Sequence, residues 1–488
     1  MRLGALVPAD PAAADVEIGS LAYDSRRVCA GALFFCVSGL LRDGHEFAPQ
    51  AVERGAAALV VERRLALEVP QVLVADARAA MAPAAAAFHG YPTRTLRVVG
   101  ITGTNGKTTT AFLTRAILER AGIASGLLGT VRAVVGGVAR EVSRTTAEAI
   151  DLQADFAAML AGGDRACVME VSSHALELGR ADAIELAAGV FTHLSQDHLD
   201  FHPDMEAYFQ AKRRLFFGRP GAGPPAASVL GIDDPYARRL AQEIPAALTF
   251  ALGREADFQA SEIRSDLAGA HFHLKAPTGG REIQLPLPGR FNVANALAAA
   301  GAAHALGVEL DVIGAALAEP PLVPGRFEPV DEGQDFAVLI DYAHTPDALE
   351  NVVRAASEIT RARVICVFGA GGDRDRTKRP LMGRAAAEGA DLVIVTSDNP
   401  RSEDPEAIIG EIMVGVREAG RSAQVIVDRR EAIFAAVQAA RPGDVVLIAG
   451  KGHEQGQELA GGEKIPFDDV SVARDALRER HPLRSPAR

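Results

Sequence analysis

The sequence has no tryptophan, and aromatic residues make up only 5 % of it. Stacking platforms for unpaired bases are therefore not suggested. Positive charge is also short. There are 51 Lys plus Arg against 63 Asp plus Glu, a net charge of −12. That balance argues against a broad nucleic-acid footprint and against attachment to an anionic membrane surface, while leaving room for a local basic pocket. Cysteine is scarce: Cys29, Cys36, Cys167 and Cys366 are the only four. No pair forms a CxxC, and the spacings match neither a zinc site nor a disulfide framework. Reduced, buried thiols in a cytoplasmic protein are expected. No run of 18 apolar residues occurs. The stretch from Val293 to Val308 comes nearest, but Asn295, His304 and its small residues suit a packed helix. The N-terminal MRLGALVPADPAAADVE carries proline and acids where a signal peptide needs an apolar core, so no targeting segment is expected.

What is present is an ordinary globular composition, 48 % hydrophobic and 23 % charged over 488 residues. At roughly 150 residues each, that length predicts about three domains. Composition breaks divide the chain into residues 1–92, 93–325 and 326–488. The first part reads as a small α/β unit, with strands at Leu33–Val37, Ala58–Val61 and Val72–Val74 and a helix over Ala77–His89. Tyr91-Pro92 then interrupts the pattern. The second part alternates apolar strands with helices, which predicts a mostly parallel sheet covered on both faces. Residues 258–287 switch to short alternating strands and predict an antiparallel flap. A long Ala-rich helix follows from about Asn292 to Leu306, and PLVPGRFE marks the second boundary. The third part has five strand candidates, AVLIDY, RVICVFG, DLVIVT, QVIVD and DVVLIAG, as in a doubly wound Rossmann-like domain. In such sheets ligands bind at the carboxyl ends of strands. There lie DYAHTPDAL, GAGGDRDRTKRP, SDNPRSEDP and GKGHEQ.

GITGTNGKTTT, from Gly100 to Thr110, lies between a predicted strand and a predicted helix. Glycines let backbone N–H groups curl around phosphate oxygens, the helix N-terminus adds its dipole, Lys107 adds a charge, and a Thr hydroxyl can hold Mg²⁺. Ile101 stands where strict Walker A spacing has glycine, so the loop is a variant. MEVSSHAL, with Glu170 and Ser172, and THLSQDHLDFH, with Asp197, His198 and His202, both follow apolar strands. Such carboxylates and imidazoles beside a phosphate loop suit Mg²⁺ or phosphate orientation. A zinc pair from His198 and His202 is not expected, because Phe201 and Pro203 do not make a helix and no HExxH is present. Taken singly, Glu170 reads equally as a satisfied buried acid, and Lys212 as a solvated lysine on a helix. Asp398 to Arg401, DNPR, reads either as a capped turn or, with Glu454, as a clasp for a zwitterionic amino acid.

TGTNGKTTT, MEVSSHAL, LSQDHLDFH, FQAKRRLF, DYAHTPDAL and DNPRSEDP occur in one order along the chain. Together they resemble the Mur ligases of peptidoglycan synthesis, specifically the members that add meso-diaminopimelate, and the likeness runs over essentially the whole chain. The resemblance implies an ATP-dependent amide-forming ligase acting on UDP-N-acetylmuramoyl-L-alanyl-D-glutamate, in cell wall biogenesis and thereby in cell shape and division. It implies a monomeric cytoplasmic enzyme whose partners are small molecules. ATP would be bound by Gly103, Thr104, Asn105, Gly106, Lys107, Thr108 and Thr109, with Asn292 at the adenine and Asp341 at the ribose. Arg326 and His344 would lie near ATP when the domains close. Ser25 of the DSR motif, Thr145, Thr146, Ser172 and Arg180 would contact the UDP-muropeptide. Arg144, Ala147, Leu178 and the stretch Leu40–Arg42 depart from the family pattern on that side. Arg374, Asp398, Asn399, Pro400, Arg401, Gly450 and Glu454 would bind diaminopimelate. Lys212 would be carbamylated to N6-carboxylysine and hold Mg²⁺ with Thr108, Glu170 and His198. The catalytic set implied is Lys107, Glu170, His198 and Lys212. Two other readings remain at this point: a folylpolyglutamate synthase-like ligase, and a muropeptide-binding scaffold without turnover.

Overall fold

The computed structural model describes residues 1–39 and 42–480. Leu40 and Leu41, part of the stretch that departs from the family pattern, lie outside the described residues, as do residues 481–488. The chain is α/β throughout. Among the described residues the strands form sheets of four, eleven and six strands plus a two-stranded ribbon.

The first sheet is parallel and takes its strands in chain order: Ser20–Ala22, Ala32–Phe35, Ala56–Val61 and Gln71–Leu73. Its middle strands are buried on both faces, which is why they read as unbroken apolar runs. The central sheet has a parallel core of seven strands. Across the sheet these are Phe258–Asp266, Leu248–Ala251, Ala227–Gly231, Leu186–Phe191, Arg97–Thr102, Ala166–Glu170 and Ser125–Leu128. Antiparallel hairpins extend both edges. Gly269–Ala276 and Gly279–Leu285 form the expected flap, and Ala133–Val135 with Val138–Arg140 extends the other side. The helix Arg290–Ala305 packs against Lys107–Arg120, the helix of the phosphate loop. Its buried face is rich in alanine, with Gly301, so the two backbones approach closely.

The third sheet runs Glu328–Pro329, Ala337–Asp341, Val445–Ala449, Val364–Phe368, Leu392–Val395 and Gln424–Val425, parallel apart from its first short strand. QVIVD yields only a two-residue exposed edge strand, because one neighbour supplies all its ladder bonds. Helices begin sharply where Asp or Thr accepts an N-terminal backbone N–H and proline follows: Asp234-Pro235, Thr345-Pro346 and Asp404-Pro405. Cys36, Cys167 and Cys366 are buried as expected, but Cys29 is exposed. It lies on the loop before Ala32–Phe35, where Ser20 is its polar neighbour. No helix among the described residues is long and apolar enough to cross a membrane.

Candidate active site

Two cavities meet where the central and third sheets face each other. The first, about 390 Å³, opens on the phosphate loop. The strand Arg97–Thr102 ends and the chain turns through Gly103 and Gly106, both at positive φ. A Cβ at Gly103 would fall 1.8 Å from Thr192 Oγ1, and one at Gly106 would fall 2.4 Å from Asn295 Oδ1. Side chains are excluded there, so the loop can present its backbone. Thr104 to Thr109 line the cavity. Lys107 folds back, its ammonium donating to the Gly103 and Thr104 carbonyls at 2.9 and 2.8 Å. Burial lowers its pKa. Thr108 Oγ1 donates to Glu170 Oε2 at 3.0 Å, and Arg326 Nη2 reaches Thr108 Oγ1 at 3.1 Å. Thr130 fixes the Glu170 carboxylate from the other side through its backbone N–H and its hydroxyl. Glu170 is thus a buried, satisfied acid that also faces the phosphate loop.

Away from the loop the first cavity turns apolar, with Phe250, Leu252, Phe291, Ala348 and Val352 beside Asn295. That end suits a purine. The expected adenine contact, Asn292, is not on this wall. Its side chain donates to Pro288 O at 2.8 Å and accepts from Asn295 Nδ2 at 3.2 Å. Asn295, three residues along the same helix, lines the cavity instead, and Asn292 holds its amide from behind. Asp341 lines the same cavity. Burial pushes its carboxyl up to about 6 against the pull of Arg326 and of the Phe327 and Ala343 backbone N–H groups.

The second cavity, about 440 Å³, is lined by Arg374, Asp398, Asn399, Arg401, Gly450 and Glu454, all foreseen, together with Lys378. Pro400 is behind this wall. Its carbonyl packs against Gly372, where a Cβ would come within 1.9 Å. Arg401, at φ +51, donates from Nε to Glu458 at 3.0 Å and from Nη1 to Gly372 O at 2.7 Å. Thr130, Thr145, Asp197, His198, Tyr342 and His344 line both cavities. Burial pushes His198 down to about 3, so its imidazole is neutral. Burial also works against the charge on Asp197, but Lys378 and His198 outweigh it and hold Asp197 below the usual carboxylate range.

Apart from Ser172, the remaining foreseen residues sit off these walls. Lys212 is not a solvated lysine. It is 1 % exposed, its Nζ donates to Gly103 O at 2.8 Å, and it stands 4.5 Å from the Tyr208 ring centre. The helix Met205–Arg213 turns it inward under the phosphate loop, where burial and the nearby Lys107 charge push its pKa well down. Thr146 is buried between Glu170 O and Ser172 N, while Ser172 lines the first cavity and caps a short helix. Arg180 pairs with Glu148 at 3.0 Å, as Arg144 does at 3.0 Å and Arg78 at 2.7 Å. Ser25 is in the first unit, buried and donating to Gln50 Oε1 at 2.6 Å.

Sequence reasoning did not single out Asn295, Thr130, Asp347, Lys378 or Lys451. Asp347 accepts from Asn105 Nδ2 and Ser195 Oγ at 3.0 and 3.2 Å and stands 3.0 Å from His193 Nε2, tying the third unit to the phosphate loop. Lys378 ties the third unit to the loop after Leu186–Phe191 through Asp197 at 3.3 Å. Asp347, Lys378 and Lys451 all lie within motifs quoted above, beside the residues that were chosen.

Three family models match in succession: "Mur ligase family, catalytic domain" over residues 17–91, "Mur ligase middle domain" over 101–303 and "Mur ligase, glutamate ligase domain" over 325–452. A UDP-N-acetylmuramoyl-L-alanyl-D-glutamate–2,6-diaminopimelate ligase of Syntrophomonas wolfei is 48 % identical, covering 95 % of both chains. The ligase of that name from Geobacillus kaustophilus is 47 % identical over 95 % of this chain and 96 % of its own. A solved structure of the same name superposes with a TM-score of 0.68 at 33 % identity, covering 97 % of this chain and 98 % of the other. Mycobacterium tuberculosis folylpolyglutamate synthase shares the fold alone, at a TM-score of 0.62 and 20 % identity over 84 % of this chain and 96 % of its own. With full-length relatives near half identity and ordered family matches along its length, the chain belongs to the Mur ligase family.

Proposed function

We propose that this chain is an ATP-dependent ligase that joins meso-diaminopimelate to UDP-N-acetylmuramoyl-L-alanyl-D-glutamate in cytoplasmic peptidoglycan precursor synthesis. One observation carries the reading: a phosphate-loop cavity and an Asp/Asn/Arg/Glu-lined cavity share a wall of six residues. An activated carboxyl made in one is within reach of an amine held in the other. The units 1–92, 93–325 and 326–488 would serve the UDP end, ATP and the amino acid respectively.

In the reaction, a carboxylate oxygen of the D-glutamyl side chain attacks the γ-phosphorus of ATP, and ADP leaves with the bonding pair. The amine of diaminopimelate attacks the resulting acyl phosphate. Phosphate then leaves from the tetrahedral intermediate, and the nitrogen gives up a proton. Lys107 releases the Gly103 and Thr104 carbonyls to pair with the γ-phosphoryl oxygens, where developing charge rewards it most. Thr108 and Glu170, hydrogen-bonded to each other, and His198 on the same cavity wall would be the residues that meet Mg²⁺, with phosphates and water as its main ligands. Bound there with ATP, Mg²⁺ would neutralise phosphate charge. The uncharged amine of Lys212 is the form that attacks CO₂: an N–C bond forms, one proton leaves, and the lysine becomes an anion suited to a second Mg²⁺. Asp398 and Glu454 offer anions for an ammonium of the acceptor, and Arg401 offers a donor for its distal carboxylate.

The test is phosphate release by the full chain with ATP, Mg²⁺ and UDP-muramoyl-dipeptide, adding meso-diaminopimelate, L-lysine or no acceptor. Release with amide product for diaminopimelate, and poor use of L-lysine, is expected. Equal use of L-lysine would overturn the acceptor assignment. Turnover only with folate and glutamate would point to the other ligase class.

A further inference from the structure

Lys451 has no exposed side-chain surface and lies off both cavity walls. It follows Val445–Ala449, a strand inside the third sheet, and is flanked by Gly450 and Gly452, both at positive φ. Its Nζ stands 2.8 Å from Asn399 Oδ1, 3.2 Å from Glu454 Oε2 and 3.6 Å from Asp398 Oδ1. These three groups come from two loops, one after Leu392–Val395 and one after Val445–Ala449. Asn399 Nδ2 closes the circle by donating to Glu454 Oε2 at 2.9 Å. The lysine therefore sits behind the polar wall of the second cavity and touches three of its members at once.

Charge balance says what it does there. Asp398 and Glu454 line one cavity, and two uncompensated carboxylates sharing a site repel each other and take up a proton between them. Two other buried cations are already committed, Arg429 to Asp469 at 2.7 Å and Lys378 to Asp197 at 3.3 Å. Within the Asp398–Glu454–Lys451 trio, Lys451 cancels one acidic charge and leaves one negative charge, while Arg374 and Arg401 line the cavity separately. That one negative charge matches one ammonium. By holding the Asn399 oxygen it also turns the Asn399 N–H toward Glu454 and fixes the carboxylate's orientation.

We infer that Lys451 is a positioning residue of the acceptor site, balancing its Asp398–Glu454 pair and orienting Asn399 and Glu454 for an ammonium-bearing amino acid. The inference rests on the acceptor reading proposed above. It predicts an effect confined to the acceptor. In Lys451→Met and Lys451→Gln, KM for meso-diaminopimelate should rise about tenfold or more, the usual weight of a hydrogen bond to a charged group. KM for ATP and for the UDP-muramoyl-dipeptide should stay within about twofold, because those substrates meet other walls. Combined with Glu454→Gln, Lys451→Met should cost much less than it does alone, since Lys451 acts through that carboxylate. An unchanged KM for diaminopimelate, a parallel loss on all three substrates, full additivity with Glu454→Gln, or failure of both variants to fold would each overturn the inference. The wild-type arm separates this from the acceptor reading. If the wild type does not turn over with diaminopimelate, that reading itself is wrong.

Discussion

A lysine at 1 % exposure beside a second ammonium gains little from keeping its proton. At the residue scale Lys212 is therefore a buried amine rather than a surface charge, the setting in which it is proposed to attack CO₂. Lys212→Ala should lower kcat by about 100-fold, the scale of a lost electrostatic group, with partial recovery on adding acetate. Kinetics with and without acetate check this, and activity that survives the substitution would remove the proposed role. Asp341 behaves in the opposite sense. Burial lifts its carboxyl from the ordinary 3.8 to about 6, so it is ionised above that pH and neutral below. If the carboxylate accepts ribose hydroxyls, KM for ATP should climb as pH falls through about 6, and Asp341→Asn should abolish that step. The folding consequence has the other sign. The native value lies above the unfolded one, so this group's contribution to stability is greatest below about 3.8 and declines as pH rises through about 6. Neither environment was legible in the sequence. AKRRLF and DYAHTP mark the positions, but burial is decided by which neighbours the fold brings.

Long apolar strands and capped helices were readable at the scale of elements, because period and Asp-Pro or Thr-Pro starts are local signals. Short strands were harder. Ser20–Ala22 and Leu248–Ala251 exist because a neighbouring strand is there to pair with them, and no local pattern announces that. Helix crossings are equally non-local. Lys378–Gly389 and Pro405–Glu418 meet through Gly383 and Gly415. A Cβ at Gly415 would fall 1.7 Å from Pro380 O, and one at Gly383 would fall 2.1 Å from Ile412 O. Gly415→Ala should therefore destabilise the protein by about 1–3 kcal/mol, as overpacking does. The shift should appear in the denaturant midpoint. It should also weaken the acceptor site, because the first helix carries Lys378 toward Asp197.

For the whole molecule, contacts across the cavities hold the units in register: Asp347 with Asn105, His193 and Ser195; Lys378 with Asp197; and Arg326 with Thr108. An acyl phosphate must be kept from water until the amine arrives. Asp347→Ala should lower kcat for amide formation by about tenfold or more and raise the phosphate released per amide bond formed. A coupled assay of both products checks this, and an unchanged ratio would show that Asp347 does not serve closure. The amino-acid sequence alone determined the α/β class, the phosphate loop, the place of the DNPR motif after a strand and the family resemblance, because each depends on residues close together along the chain. The tertiary structure decided that Asn295 rather than Asn292 faces the first cavity. It also decided that Lys212 and Lys451 are buried, and that two cavities on different sheets share one wall. Those outcomes depend on helix rotation, burial and the docking of separate units, which are set by contacts between residues far apart in the chain.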